Sequence, residues 1–137
     1  MKHFPVQILF FLFLFASCRE NIVQPENTAG NKNEPFSTRT NYSYSFTINA
    51  EEITREVTDK TNLNSFKSRI SITVNNHSSG SAEIKIETGS NQLIYYKTIN
   101  SNTSGISTEI EGNVPNLLTI NFVNFTGILK IVLTEID

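Results

Sequence analysis

From Tyr42 onward the chain alternates apolar and polar positions in short runs. Tyr42, Tyr44, Phe46 and Ile48 are interleaved with Ser43, Ser45, Thr47 and Asn49, the two-residue period of a strand with one wet face. Ile70, Ile72 and Val74 repeat the pattern, and Ala82, Ile84 and Ile86 alternate with Glu83, Lys85 and Glu87. Further runs lie at Leu93 to Ile99, Ile106 to Ile110, Leu117 to Phe125 and Ile128 to Ile136. In the last two the alternation blurs, which predicts strands covered on both faces. Between the runs stand turn-rich clusters: Asn75 to Gly80, Gly89-Ser90-Asn91, Asn100 to Gly105, Gly112 to Asn116 and Phe125-Thr126-Gly127. Their spacing suits hairpins. The nearest approach to a helical period is Glu51 to Lys60, where Ile53 and Val57 are four apart, but β-branched Thr54 and Thr58 favour strand there.

Seven or eight short strands with no helix to cover a sheet must bury their apolar faces against one another. The expected fold is all-β, a single antiparallel β-sandwich over residues 42–137, immunoglobulin-like or jelly-roll, with a small closed β-barrel as the runner-up. The chain has no tryptophan and one cysteine, so the cysteine pair around a buried tryptophan of immunoglobulin domains is missing and only the layer architecture is supported.

The start of the chain follows a different pattern. Met1-Lys2-His3 precedes an apolar run from Val6 to Phe15, and Ala16-Ser17-Cys18 follows it. The run is too short to span a bilayer and has the length of a signal-peptide core, so residues 1–17 are expected to be a leader. Leu14-Phe15-Ala16-Ser17-Cys18 resembles the lipobox of bacterial lipoproteins, with Phe15 where that family usually has Leu, Val or Ile. The resemblance implies cleavage before Cys18, a diacylglycerol on its sulfur and palmitate-type acylation, hence a membrane anchor. It also explains why a secreted domain would carry one unpaired cysteine. Arg19 stands where an aspartate commonly retains lipoproteins in the inner membrane, so the expected location is the cell envelope, at the outer rather than the inner membrane, with plain secretion as the alternative. Residues 18–41, with Pro25, Gly30 and Pro35 among Asn, Glu and Thr, read as the lipidated cysteine and a disordered tether; an arm packed as an edge strand is the alternative.

Candidate chemistry is sparse. Beyond the leader His77 is the only histidine, in a turn cluster, and the only aspartates are Asp59 and Asp137. A Ser-His-Asp triad would have to use His77, no Gly-x-Ser-x-Gly is present, and a Cys/His zinc site is ruled out. Glu109 and Glu111 share one strand face, as do Glu83 and Glu87 around Lys85; glycoside hydrolysis needs two carboxylates across a groove, and two on one strand read as a solvated face. Asp59 to Asn64 offers oxygen ligands, but Leu63 breaks the calcium-loop spacing. No cofactor or metal is expected.

Losing the leader removes Lys2, leaving ten Lys and Arg against thirteen Asp and Glu, a formal charge of −3. With the basic residues scattered, this sets nucleic acid aside. Tyr95 and Tyr96 are adjacent on a strand and must face opposite ways, one towards the core and one free to act as a ligand platform. The expected function is a non-enzymatic, membrane-anchored binding or scaffolding domain for an envelope protein or glycan. A carbohydrate-binding accessory module is the alternative, with a carboxylate hydrolase behind it.

Overall fold

A computed structural model describes residues 31–137; the leader, Cys18 and most of the expected tether lie outside the described residues. Among the described residues six strands form one antiparallel sheet: β1 (Phe36–Arg39), β2 (Ser43–Lys60), β3 (Lys67–Glu87), β4 (Leu93–Ile99), β5 (Thr103–Glu111) and β6 (Leu117–Glu135). The order is β1-β2-β6-β3-β4, and β5 also pairs with β3. The sheet is all-β as expected, and it does not close into the small barrel held as runner-up.

The strands are fewer and longer than the periodicity predicted, because three of them each contain two of the runs. In β2 the apolar side chains Tyr44, Phe46, Ile48 and Ala50 are buried, and after Glu51 and Glu52 burial resumes at Ile53. The register against β6 shifts between Ala50 and Ile53, and Glu52 has a positive φ of 51°. A bulge of this kind inserts a residue, bends the strand and moves the inward set from even to odd positions. β6 does the same: Leu118, Ile120 and Phe122 are buried, then Phe125, Leu129, Ile131 and Leu133, with Asn124 at φ 47° between them. β3 breaks register against β6 between Asn75 and Ser81. It holds two positive-φ residues there, Asn76 and Gly80, and keeps its parity.

These breaks align across the sheet and fold it over. Tyr44 lies near the start of β2 and Asp59 near its end, yet the Tyr44 hydroxyl donates to Asp59 Oδ2 at 2.9 Å. In a straight strand those residues would be roughly 50 Å apart. The first halves of β2, β3 and the second half of β6 form one layer with β5, and the remaining halves form the other with β4. A single apolar core includes residues of both layers, among them Phe46, Ile72 and Ile131 from the first and Ile84, Ile120 and Phe122 from the second. Each fully buried aliphatic or aromatic side chain contributes about 1.5–3 kcal/mol relative to exposure, so this core holds the doubled sheet together without disulfides.

Two further expectations change. β6 is central in the hydrogen-bonding direction and wet on its outer face; its blurred alternation comes from Leu117, Ile128 and Val132, half-buried by side chains of the flanking strands. Residues 36–39, assigned to the tether, form β1 on the edge of β2, and Lys32 bridges to Asn49. Asn33 N–H donates to Asn49 O at 2.8 Å. An Asn-rich segment with few apolar residues is held here by backbone pairing, which composition does not report.

The head therefore has two ends. The bend end carries the chain's arrival at residues 32–35, the three bulges and the β4–β5 connection. The open end carries the turns at residues 40–42 and 88–92, the crossovers 61–66 and 112–116, and the C-terminal residues.

Candidate functional site

The open end is built by side chains reaching between layers. Asp59 accepts from Tyr44 and forms an ion pair with Arg39, whose guanidinium also lies 5.5 Å over the Tyr44 ring and whose Nε donates to Lys60 O at 2.7 Å. Burial, with the Asp59 carboxylate as the second cause, pushes the Tyr44 hydroxyl well above the ordinary tyrosine range. The crossover after β2 then closes the core. Leu63 is buried, Thr61 N–H donates to Asn116 O at 3.0 Å, and Thr61 Oγ1 donates to Pro115 O.

Beside this latch runs a groove. One depression of about 360 Å³ is lined by Lys60, Asn62, Thr88, Asn91, Asn116 and Leu117. A second, of about 450 Å³, shares Lys60, Asn62 and Leu117 and extends to Arg39, Thr58 and Asp59. Asn116 Oδ1 accepts from Gly89 N–H at 2.8 Å, which ties the β3–β4 turn to the second crossover. Asn62 and Asn91 sit at positive φ, 62° and 61°, a backbone state that asparagine tolerates better than most residues. No partner in the described residues engages the Asn62 or Asn91 amides or the Lys60 ammonium. The one acid of the groove, Asp59, is already neutralised by Arg39. The groove thus offers donors, amide acceptors and one free positive charge, a set suited to hydroxyl-, amide- or carboxylate-bearing ligands.

The tyrosine pair divides as the alternation requires. Tyr95 packs against the core, and burial raises its hydroxyl above the ordinary range. Tyr96 is 50% exposed on the outer face, across from Lys85, with Thr98 Oγ1 donating to its hydroxyl at 3.2 Å. Of the two, Tyr96 alone has a free ring face.

The other candidates are dispersed. His77 lies at the bend, its Nε2 3.1 Å from Gly80 O and its ring 5.5 Å from that of Phe125, whereas Asp59 and Asp137 lie at the open end. A triad cannot form across that distance. Glu109 is exposed, bonded to Arg69 at 2.6 Å, and Arg69 lowers its pKa; Glu111 is likewise exposed. Glu83 and Glu87 face outward from the opposite layer. These pairs cannot clasp one substrate between them. Asp59 is committed to Tyr44 and Arg39, and Leu63 is inward, so the 59–64 loop forms no calcium cage. Among the described residues no cluster of three or more His, Cys, Asp or Glu could hold a metal.

The sequence did not mark the groove. Asn91 and Asn116 belong to two turn clusters and Asn62 to the Asp59 to Asn64 run, and only the pairing of Lys60 and Glu87 with Leu117 brings the three together.

No protein-family model matches the chain, and no curated protein matches it. Among solved structures, one described under "Bacillus endospore appendages form a novel family of disulfide-linked pili" superposes with a TM-score of 0.45 and 9% identity, covering 75% of this chain and 89% of that one. A likeness of this size carries no argument about function.

Proposed function

We propose that this is a membrane-anchored extracytoplasmic lipoprotein, acylated at Cys18, whose head acts as a non-enzymatic binding or scaffolding β-sandwich in the cell envelope. The supporting observation is the polarity of the head. The chain joins it at the bend end, where Lys32 and Asn33 meet Asn49, and the groove with its uncommitted Lys60, Asn62 and Asn91 lies at the opposite end. Each half-strand of about eight residues separates those ends by roughly 25 Å. A head anchored through its N-terminal side would present the groove away from the membrane, towards an envelope glycan or protein. The lipobox-like residues Leu14 to Cys18 support the anchor, and the lack of the inner-membrane aspartate after Cys18 favours the outer membrane.

The anchor is tested by fractionation of cells expressing the chain and its Cys18→Ala variant with a radiolabelled fatty acid. Label and membrane association should both be lost in the variant; an unlabelled, membrane-free parent chain would refute the anchor. Binding is tested by thermal shift against envelope glycans and peptides, with Asn62→Ala and Lys60→Ala as groove variants. A shift that survives both changes would place the ligand elsewhere.

A carbohydrate-binding accessory module is the second reading, favoured by the exposed ring of Tyr96 on a flat polar face beside Lys85 and Thr98. Tyr96→Ala would abolish glycan shifts under that reading, and Tyr95→Ala would act through stability alone.

A further inference from the structure

We propose that Tyr96 and the open-end groove are the two ends of one binding track, which takes an extended, uncharged polysaccharide of β-linked hexoses. The inference rests on the glycan-binding reading above and adds to it the path of the ligand. Side chains from four strands stand side by side on the outer face of the second layer. Lys85 of β3 is opposite Tyr96 of β4 on one side and Thr119 of β6 on the other, and Thr119 is opposite Thr58 of β2. The adjacent residues Tyr95, Ile86, Leu118 and Val57 belong to the core or pack on it, so the row itself points outward. Thr58 also lines the groove, with Lys60, Asn62 and Leu117. The row therefore runs into the groove without a break. Tyr96 and Thr58 are three strand spacings apart, roughly 14 Å, so a sugar chain that uses both ends is longer than a disaccharide.

The chemistry along the track selects the occupant. At one end the half-exposed Tyr96 ring offers an apolar face to a sugar ring. In the middle the Thr119 and Thr58 hydroxyls lie 3.4 Å apart, and at the far end the Asn62 amide engages no partner in the described residues. Hydroxyls and amides both donate and accept, as the hydroxyls of a sugar do. Charge excludes the polyanions. Lys60 and Lys85 share this face with Glu56, Glu83 and Glu87, so it presents no positive field to an acidic glycan, a lipid headgroup or a nucleic acid. Polar side chains fill the row apart from the Tyr96 ring, which leaves a peptide no apolar pocket to anchor in. The pairing of the row is regular from β4 to β2, and a straight row suits an extended chain.

The experiment titrates the full chain in detergent micelles calorimetrically with β-1,4-linked oligomers of glucose, mannose and N-acetylglucosamine, from the disaccharide to the hexasaccharide. Affinity for one of these series should rise beyond the disaccharide. Tyr96→Ala removes one end of the track; Asn62→Gly removes the other while keeping the backbone at its positive φ of 62°. Each should weaken the hexasaccharide about three- to tenfold, the worth of a ring contact or a hydrogen bond, and each should leave the urea midpoint unchanged. Tyr96→Phe, which keeps the ring, and Thr47→Ala, on the outer face of the other layer, should bind as the parent does. Binding that responds at one end only, or that stops rising at the disaccharide, would overturn the track and leave a local glycan site. No binding of any of these chains would overturn the track together with the glycan reading, and would leave protein binding as the function of the head.

Discussion

The two ends of the head solve the same problem, returning three strands across the core, by different means. At the bend the backbone does it. Glu52, Asn76, Gly80, Asn124 and Gly127 all have positive φ, and the bulges they form turn the strands without leaving the sheet. At the open end the strands stop, and side chains take over: Tyr44 and Arg39 reach Asp59 across the layers, while Thr61 to Pro115 and Asn116 to Gly89 tie neighbouring strand ends within one layer. A backbone device tolerates little change at the residues that make it. A side-chain device leaves loops free to vary and leaves polar groups over, and it is at this end that the unengaged amides line a groove.

The sharpest way to break the contrast is at Gly80. A Cβ there would stand 2.2 Å from Asn124 O and 2.3 Å from Val123 O, both backbone atoms, at a φ of +72°. Gly80→Ala should therefore cost about 3 kcal/mol or more and cripple folding. Gly112 has a similar φ of +78° in open space at the other end, so Gly112→Ala should cost only about 1 kcal/mol, the penalty of the dihedral alone. Urea denaturation of the two variants measures both; equal losses would mean that the bend is not a packed backbone joint.

Leu63 tests the open end in the same currency. It is a loop residue, yet it is buried under the crossover, so Leu63→Ala should cost about 2–4 kcal/mol, as core truncations do. A loss below about 1 kcal/mol, within the range of surface substitutions and small repacking, would show that the crossover merely lies over the core instead of sealing it.

The strands were legible in the sequence and the joints between them were not. Tyr44 to Ile48, Ile70 to Val74 and Ala82 to Ile86 alternate as written, and each lies in a strand with its apolar members inward, whereas Tyr42, read as the first apolar member of its run, precedes β2 and is 71% exposed. The strand assigned to Glu51 to Lys60 is the second half of β2. What failed was the reading of Asn75 to Gly80 and Phe125-Thr126-Gly127 as hairpin turns. A bulge and a turn demand the same residues, those that accept positive φ, and each interrupts the alternation; pairing across the interruption, visible only in three dimensions, tells them apart. The groove was hidden for the related reason that its asparagines come from turns far apart in the chain.

Alkaline pH separates the two ends next. In the unfolded chain Tyr44 ionises near pH 10, whereas in the fold burial and Asp59 keep its proton on to higher pH. Above pH 10 the unfolded state thus binds fewer protons than the native one, and stability falls as pH rises. Below pH 10 the full contribution is present. Tyr95, raised by burial, acts in the same direction. Tyr44→Phe should cost about 1 kcal/mol at neutral pH, the usual net value of a hydrogen bond, and should flatten the decline measured by denaturation between pH 9 and 11. A parent and variant with parallel alkaline limbs would show that the latch does not hold the proton.

The smallest effect concerns a polar group that neither end uses. Ser68 is fully buried on β3, between Ile110 of β5 and Glu135 of β6, and its Oγ has no hydrogen-bond partner among the described residues. An unsatisfied buried hydroxyl forfeits its hydration and gains nothing in return. Alanine removes that cost and leaves only a hydroxyl-sized gap, so Ser68→Ala should be neutral to stabilising by up to about 1 kcal/mol. Since Ser68 lies at the open end, near the Phe66 and Gly112 backbone contact, a loss above about 1 kcal/mol would mean that its hydroxyl serves the side-chain joinery of that end after all. The urea midpoint of Ser68→Ala, compared with the parent at a common slope, decides between the two.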